Sequence, residues 1–256
     1  MEKVLSMFEL TGEKAIVTGG GQGLGREMAL ALAEAGADVA VVQRHVEVAE
    51  KTAEEIRNLG RDSIALKIDV SKPDDVENMV RTVKERFGKI DILINNAGVV
   101  SWVPAEEMSV DEWRRVIDIN LTGVFLCCKL VGREMINQRK GSIINISSMS
   151  GYIVNHPQKQ VHYNSAKAGV NLLTKCLAVE WAKYNVRVNA IAPGYMRTPL
   201  LDAADEEIKK LWASMTPMGR IADPSEIKGI AVFLASKASS YVTGSVMLID
   251  GGYTCW

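Results

Sequence analysis

Seven short apolar runs, each separated from the next by a segment of helical periodicity, constrain this chain more than any other feature. They are Ala15-Ile16-Val17, Val39-Ala40-Val41-Val42, Ile64-Ala65-Leu66-Lys67-Ile68, Ile90-Asp91-Ile92-Leu93-Ile94, Ser142-Ile143-Ile144-Asn145-Ile146-Ser147-Ser148, Val186-Arg187-Val188-Asn189-Ala190-Ile191 and Ser245-Val246-Met247-Leu248-Ile249. Runs this continuous suit parallel strands buried on both faces, whereas a half-exposed strand would alternate polar and apolar residues. Between them, Met28, Ala29, Ala31, Leu32 and Ala35 keep one helical face up to Gly36. Further helices are expected to end near Leu59-Gly60, to run after Pro73 through Phe87, from about Asp111 to Gln138, and from about His162 to Tyr184. Strict alternation of this kind predicts an α/β fold with a doubly wound, seven-stranded parallel sheet and helices on both faces. With 47% hydrophobic residues, the chain carries enough apolar material for one core, so residues 1–256 are expected to form one domain.

Charge narrows the function classes. The 30 basic and 31 acidic residues nearly cancel and form no long run of one sign, which argues against a nucleic-acid or membrane-surface partner. No apolar stretch approaches the roughly 18 residues of a spanning helix. The segment from Met1 to Glu9 carries acids where a signal peptide needs its apolar region, so a cytoplasmic location is expected. Cys127, Cys128, Cys176 and Cys255 show no Cys-x-x-Cys spacing, and His45, His156 and His162 are scattered, so no metal site is expected.

Strands in such a sheet present their ligands at the carboxyl ends, and polar residues collect there. The first strand is followed by Thr18-Gly19-Gly20-Gly21-Gln22-Gly23-Leu24-Gly25. Glycine tolerates positive φ and lets backbone N–H groups approach a ligand, while the helix N-terminus that follows favours an anion. The turn therefore suits a pyrophosphate, although its spacing differs from the Gly-x-Gly-x-x-Gly fingerprint. Later, Tyr163 and Lys167 stand four residues apart, on one helix face. A free tyrosine has a pKa of about 10, and a fixed positive charge beside it would favour the phenolate, a task expected of Lys167. Ser148, at the end of the fifth strand, is placed to hydrogen-bond the oxygen of a carbonyl or alcohol.

Thr18-Gly19-x3-Gly23-x-Gly25, Asp69, Asn95-Asn96-Ala97-Gly98, Ser148, Tyr163-x3-Lys167 and Pro193-Gly194 occur together and in this order. Jointly they resemble the classical short-chain dehydrogenase/reductases, and the resemblance extends to Tyr241-Val242-Thr243-Gly244 and Asp250-Gly251-Gly252 near the C-terminus. It implies a single Rossmann-like domain and an enzyme that passes hydride between NADP or NAD and a secondary alcohol or ketone. It also implies Tyr163 as the general acid/base, Ser148 as the group that polarises the reacting oxygen, Lys167 as a holder of the nicotinamide ribose, and Asn120 at a helix kink as the fourth member. Cofactor contacts implied by position are Gly19, Gln22, Gly23, Leu24, Gly25, Arg44, Asp69, Val70, Asn96, Ala97, Gly98, Tyr163, Lys167, Pro193, Gly194, Met196 and Thr198. The segment from Tyr195 to about Gly219 corresponds to the substrate lid, where Leu200, Leu201 and Trp212 are lid or core residues. The resemblance further implies a homotetramer, with the helices around Asp111 to Gln138 and Asn164 to Tyr184 at one subunit contact and the C-terminal strand region at another. Tyr253 and Trp256, large aromatic groups at the chain end, are expected to be partly exposed in a lone subunit.

The second strand ends in Gln43-Arg44, and Asp38 stands at its opposite end. No acid repels a 2'-phosphate there and Arg44 is available to pair with one, so NADP is favoured over NAD, although Gln22 stands where many NADP users carry a basic residue. The interval from Ser148 to Tyr163 is longer than the commonest family spacing and carries Asn155, Gln158 and Gln160, as in sugar-alcohol dehydrogenases such as those acting on mannitol. A small polyol or its ketose is therefore the expected substrate, with Ser148, Gln158, Tyr163 and Tyr195 as contacts. Alternatives are a gluconate 5-dehydrogenase-like or 3-oxoacyl-carrier-protein reductase-like activity, or a silent dinucleotide-binding sensor.

Overall fold

Alternate residues of a strand point to opposite faces of a sheet, and both faces here are apolar. In the computed structural model, which describes residues 3–202 and 204–256, Ala15 and Val17 of β1 (Lys14–Thr18) enter one core while Ile16 enters the other. The first core also takes Met28 and Leu32 from α1 (Gly23–Glu34), Ala53 and Ile56 from α2 (Val46–Asn58) and Leu234 from α9 (Lys228–Ala235). The second takes Met79 and Val83 from α3 (Pro73–Phe87), Cys127, Cys128 and Val131 from α5 (Gly123–Gln138), and Val170 and Leu177 from α6 (Val161–Trp181). Each fully buried aliphatic side chain contributes about 2 kcal/mol, so both helical layers are held chiefly by these stripes.

The remaining strands are β2 (Asp38–Gln43), β3 (Ser63–Lys67), β4 (Ile92–Asn95), β5 (Gly141–Ile146), β6 (Val186–Pro193) and β7 (Val246–Ile249). All pair in parallel, in the order β3-β2-β1-β4-β5-β6-β7. The single Rossmann-like sheet is thus the expected one. Strand order reverses between β1 and β4, where Thr18 lies opposite Asn95 in register. The Thr18 hydroxyl accepts the backbone N–H groups of Asn96 and Ala97 at 3.0 and 3.1 Å, clasping the two strand ends where the crevice opens.

Three local readings change. The helix expected from about Asp111 to Gln138 is divided: α4 (Val110–Ile117) passes through a π-helical turn at Asp118–Thr122 into α5. The fifth strand stops at Ile146, so Ser147 and Ser148 belong to the loop after it. Tyr253, expected to be partly exposed, is only 6% exposed because it packs against Tyr195 in its own chain, whereas Trp256 is 81% exposed. Between β6 and β7 the segment expected to form the lid holds α7 (Pro199–Asp202) and α8 (Glu206–Met215). Within the lid segment Ala203 and the side chain of Leu200 lie outside the described residues, as do Met1 and Glu2. Among the described residues no helix is long and apolar enough to cross a membrane, and no group of His, Cys, Asp or Glu is arranged to hold a metal ion.

Candidate active site

The glycine turn is shaped by close packing. Gly19 has φ +64° and Gly23 φ +53°, both in the left-handed region. A Cβ on Gly19 would sit 2.8 Å from Asn96 Nδ2 and 2.9 Å from Ala97 Cα, so the turn lies against the end of β4. Asn96 Nδ2 fixes it there by donating to the carbonyls of Thr18 and Gly19 at 3.1 and 3.0 Å. Gln22 caps α1 without a side-chain hydrogen bond, and no acid lies in the first turn. The first N–H groups of α1 therefore keep their partial positive charge for an anion, which fits the pyrophosphate of a dinucleotide.

A cleft of about 660 Å³ opens beside this turn, and a depression of about 230 Å³ adjoins it. Gly19, Gln22, Asn96, Ala97 and Gly98 line the cleft, with Gly23 and Leu24 beside the turn and Pro193, Gly194, Met196 and Thr198 on the far side. Arg44, Asp69 and Val70 line the depression instead, together with Gly19, Gln22, Ala97 and Gly98. Burial pushes the Asp69 carboxyl up, but hydrogen bonds from Ser71 and the charges of Lys72 and Arg44 outweigh it and leave the pKa below its usual value. Gly25 lines neither space. A Cβ there would lie 2.1 Å from the Gly19 carbonyl oxygen, so its lack of a side chain serves the packing of α1 on the turn. Asp38, at the far end of β2, pairs with Lys14 and Arg61.

Asn120, Ser148, Tyr163 and Lys167 all reach the cleft. The π turn carries Asn120 inward: Nδ2 donates to the carbonyls of Val116 at 2.9 Å and Val99 at 2.8 Å, and Oδ1 accepts the N–H of Val99 at 3.3 Å. An asparagine amide can replace backbone partners that a π turn leaves open, which is why this residue suits the position. Lys167, almost fully buried, donates from Nζ to the Ile146 carbonyl at 2.8 Å and lies 5.5 Å from the centre of the Tyr163 ring.

The electrostatics differ from the expectation for the pair. Burial raises the Tyr163 pKa, and the opposing influence is a hydrogen bond with Ser148 rather than the charge of Lys167. Burial also pushes Lys167 down, to about 8. Both groups are desolvated together, and desolvation disfavours the charged form of each.

The substrate end is a side-chain network. Ser148 Oγ donates to Ser150 Oγ at 3.0 Å, and Gln160 Nε2 reaches Ser150 Oγ at 3.5 Å and Asn155 Oδ1 at 3.1 Å. Asn155 Nδ2 in turn faces the Tyr195 hydroxyl at 3.4 Å. Tyr195 stacks on Trp212 with ring centres 4.3 Å apart, and Trp102 meets Trp212 edge-on at 6.0 Å. Tyr253 closes the cluster against Tyr195 at 5.3 Å. Gln158 is placed here too, and most of its amide is engaged by protein. In the orientation that satisfies both ends, its oxygen accepts from Trp212 Nε1 at 3.2 Å and the Tyr195 hydroxyl at 2.8 Å, while its nitrogen donates to the His156 carbonyl at 3.0 Å. Gln158 therefore ties α8 to the loop that follows Ser148 while it also lines the cleft. Trp102, Ser101 and Gln43 also line the cleft and were not signalled by any motif. Gln43 Oε1 accepts the N–H of Gly21 at 3.4 Å, bracing the glycine turn from the end of β2.

Comparison with known proteins agrees with this architecture. Residues 19–254 match the family described as enoyl-(acyl carrier protein) reductase. A sorbose reductase of Candida albicans is 44% identical over 98% of this chain and 90% of its own length. An NADP-dependent mannitol dehydrogenase of Hypocrea jecorina is 44% identical over 98% of this chain and 96% of its own. A crystal structure of a short-chain type dehydrogenase/reductase from Mycobacterium marinum superposes with a TM-score of 0.97 at 44% identity, covering 99% of this chain and all of that one. Over this length, and with this crevice, the chain belongs to the short-chain dehydrogenase/reductase family of NAD(P)-dependent oxidoreductases.

Proposed function

We propose that the protein interconverts a small polyol and its ketose, with NADP(H) the favoured cofactor over NAD(H). The observation that carries this reading is the substrate end of the cleft, where Ser150, Asn155, Gln160 and Tyr195 form a polar network walled by Trp102 and Trp212. A polyol presents hydroxyls that need partners when enclosed and C–H edges that pack on aromatic faces. The names of the sorbose reductase and the mannitol dehydrogenase point the same way. For the cofactor, Arg44 at the open rim of the smaller depression supplies a cation where a 2'-phosphate would lie, and Asp38 is out of reach.

When bound, the nicotinamide supplies or accepts the hydride. Tyr163 gives its phenolic proton to the ketone oxygen or takes it from the alcohol, and Ser148 holds the same oxygen by a hydrogen bond. Lys167, when protonated, steadies the ribose, and the hydrogen bond with Ser148 favours the phenolate. Asn120 keeps the Val99 backbone and the π turn in place beside them, and Gly98 leaves room for it, since a Cβ on Gly98 would lie 2.7 Å from Asn120 Oδ1. Residues of about 195–219 act as a substrate lid, with Trp212 and Tyr195 on its inner face.

We take the protein to be cytoplasmic; among the described residues no helix is long and apolar enough to cross a membrane. Exposed apolar groups on α5 and α6, Phe125, Leu172 and Val179, together with Trp256, support a homotetramer with two self-complementary contacts, and a tetrameric mass by light scattering at micromolar concentration is its check. The activity itself is tested by following the reduced nicotinamide band with ketoses, polyols, a keto-aldonate, an acyl thioester and a cyclic ketone, each with NADPH and NADH or their oxidised forms. Fastest turnover of a ketose or polyol with the phosphorylated cofactor supports the reading. Preference for the keto-aldonate or thioester overturns the substrate class, and binding without any turnover would favour a silent sensor.

A further inference from the structure

Beside the cleft lies a partly buried cluster that the chemistry above does not use. Ser101 lines the cleft on the segment after β4. That segment is pinned by Asn120 at Val99 and by the Val103 N–H, which donates to the Lys159 carbonyl at 2.8 Å. Ser101 Oγ donates to Glu112 Oε1 on α4 and stands 2.9 Å from Nε2 of His162, which is fully buried on α6 directly before Tyr163. The Glu112 carboxylate is held in place by Arg115, whose Nε and Nη2 donate at 2.8 Å each. Its pKa is lowered to about 2, first by Arg115 and then by Ser101, so it is an acceptor only.

Hydrogen-bond arithmetic then fixes every proton in the cluster. A serine hydroxyl has one proton and two lone pairs, and here the proton goes to Glu112. His162 Nε2 must therefore carry the hydrogen in its contact with Ser101 and occupy one lone pair. His162 Nδ1 is buried without a partner, which suits the tautomer bearing hydrogen on Nε2. Ser101 keeps one free lone pair and no proton for the cleft. Among the described residues, the one charged side chain lining that cleft is Lys167, which stands at the catalytic end.

We propose that Ser101, oriented by Glu112 and His162, is a specificity-determining substrate contact that accepts a hydroxyl of an uncharged polyol or ketose and disfavours a carboxylate at the same place. Ser101 meets the substrate, while Glu112 and His162 are positioning residues that set the polarity of its hydroxyl. A carboxylate brings only acceptors, so it would face the Ser101 lone pair with no donor between them. The proposal rests on the polyol reading above and adds the device that enforces it.

The test compares kcat/KM with NADPH for a ketohexose, a keto-aldonate and a cyclic ketone without hydroxyls, in the wild type, Ser101→Ala and Glu112→Gln. Ser101→Ala should lose about tenfold more on the ketohexose than on the cyclic ketone, the size of one hydrogen bond. Glu112→Gln can donate to Ser101 and release its proton towards the cleft, so the ketohexose to keto-aldonate ratio should fall by about tenfold, mainly through a gain on the keto-aldonate. Titration of cofactor fluorescence establishes that each variant is folded, and Glu112→Gln decides alone if Ser101→Ala is not. A wild type that prefers the ketohexose while its variants keep the same ratios, or lose equally on all three substrates, overturns the role of Ser101 and leaves the polyol reading standing. A wild type that prefers the keto-aldonate overturns both.

Discussion

The two ends of the cleft are built by different means. At the nucleotide end the walls are backbone: Gly19 and Gly23 at positive φ, Gly25 against the Gly19 carbonyl, and an α1 N-terminus with no capping side chain. At the substrate end they are side chains that hold one another, from Ser148 through Ser150, Gln160 and Asn155 to Tyr195, with Trp212 locked by Gln158. A backbone wall admits few alternatives, because only glycine fits where a Cβ would clash. A side-chain wall can be rebuilt from other residues of similar reach, which lets one fold serve many substrates.

The contrast is sharpest at Gly25. Gly25→Ala places a Cβ 2.1 Å from a carbonyl oxygen that cannot yield without moving the turn. We expect a loss of about 3 kcal/mol or more in denaturant unfolding, with dinucleotide binding lost alongside it. Ordinary stability and cofactor affinity in that variant would mean the turn is more pliant than its packing implies.

Lys167 joins the two ends, and its burial makes a pH prediction. Its native pKa is about 8, below the roughly 10.4 of an unfolded lysine. Between these values the unfolded chain binds the extra proton, so this group makes stability rise with pH over that window, by about 3 kcal/mol in all. Lys167→Met removes the dependence. The stability of the wild type relative to the variant should therefore grow from pH 8 to pH 10.5 in paired denaturant titrations, and parallel curves would show that the amine is solvated in the native protein.

A smaller effect is expected at the substrate end. Gln158→Ala leaves Trp212 Nε1 and the Tyr195 hydroxyl without their partner, so α8 should sit less firmly over the cleft. KM should rise by about tenfold for a ketose and a cyclic ketone alike, with cofactor affinity unchanged. A rise confined to the ketose would show that Gln158 meets the substrate directly.

The same division explains what the sequence disclosed. The sheet and both helical layers follow from continuous apolar runs, and glycines at fixed spacing mark a turn that nothing else could form. Asn120 was reached through the family resemblance, and the structure places it in a π turn, where an asparagine amide can meet open backbone partners. Trp102 and Trp212 carry no such mark, since an apolar residue in a loop or short helix reads equally well as core. The tie from Gln158 to Trp212 and Tyr195 was not legible, because hydrogen bonding between a loop and a helix 54 positions away along the chain leaves no local pattern. The Tyr163–Lys167 spacing was legible, whereas the shared burial that raises the phenol and lowers the amine depends on the fold around them.

The central claim is that proton transfer at Tyr163 drives the chemistry in this cleft, and it is tested most directly by Tyr163→Phe, which removes one hydroxyl and leaves the ring. Turnover of the best ketose should fall by at least about 100-fold while the dissociation constant for NADPH stays within experimental error of the wild type. Near-normal turnover in that variant would contradict the account, since the Tyr163 hydroxyl would then be dispensable for proton transfer.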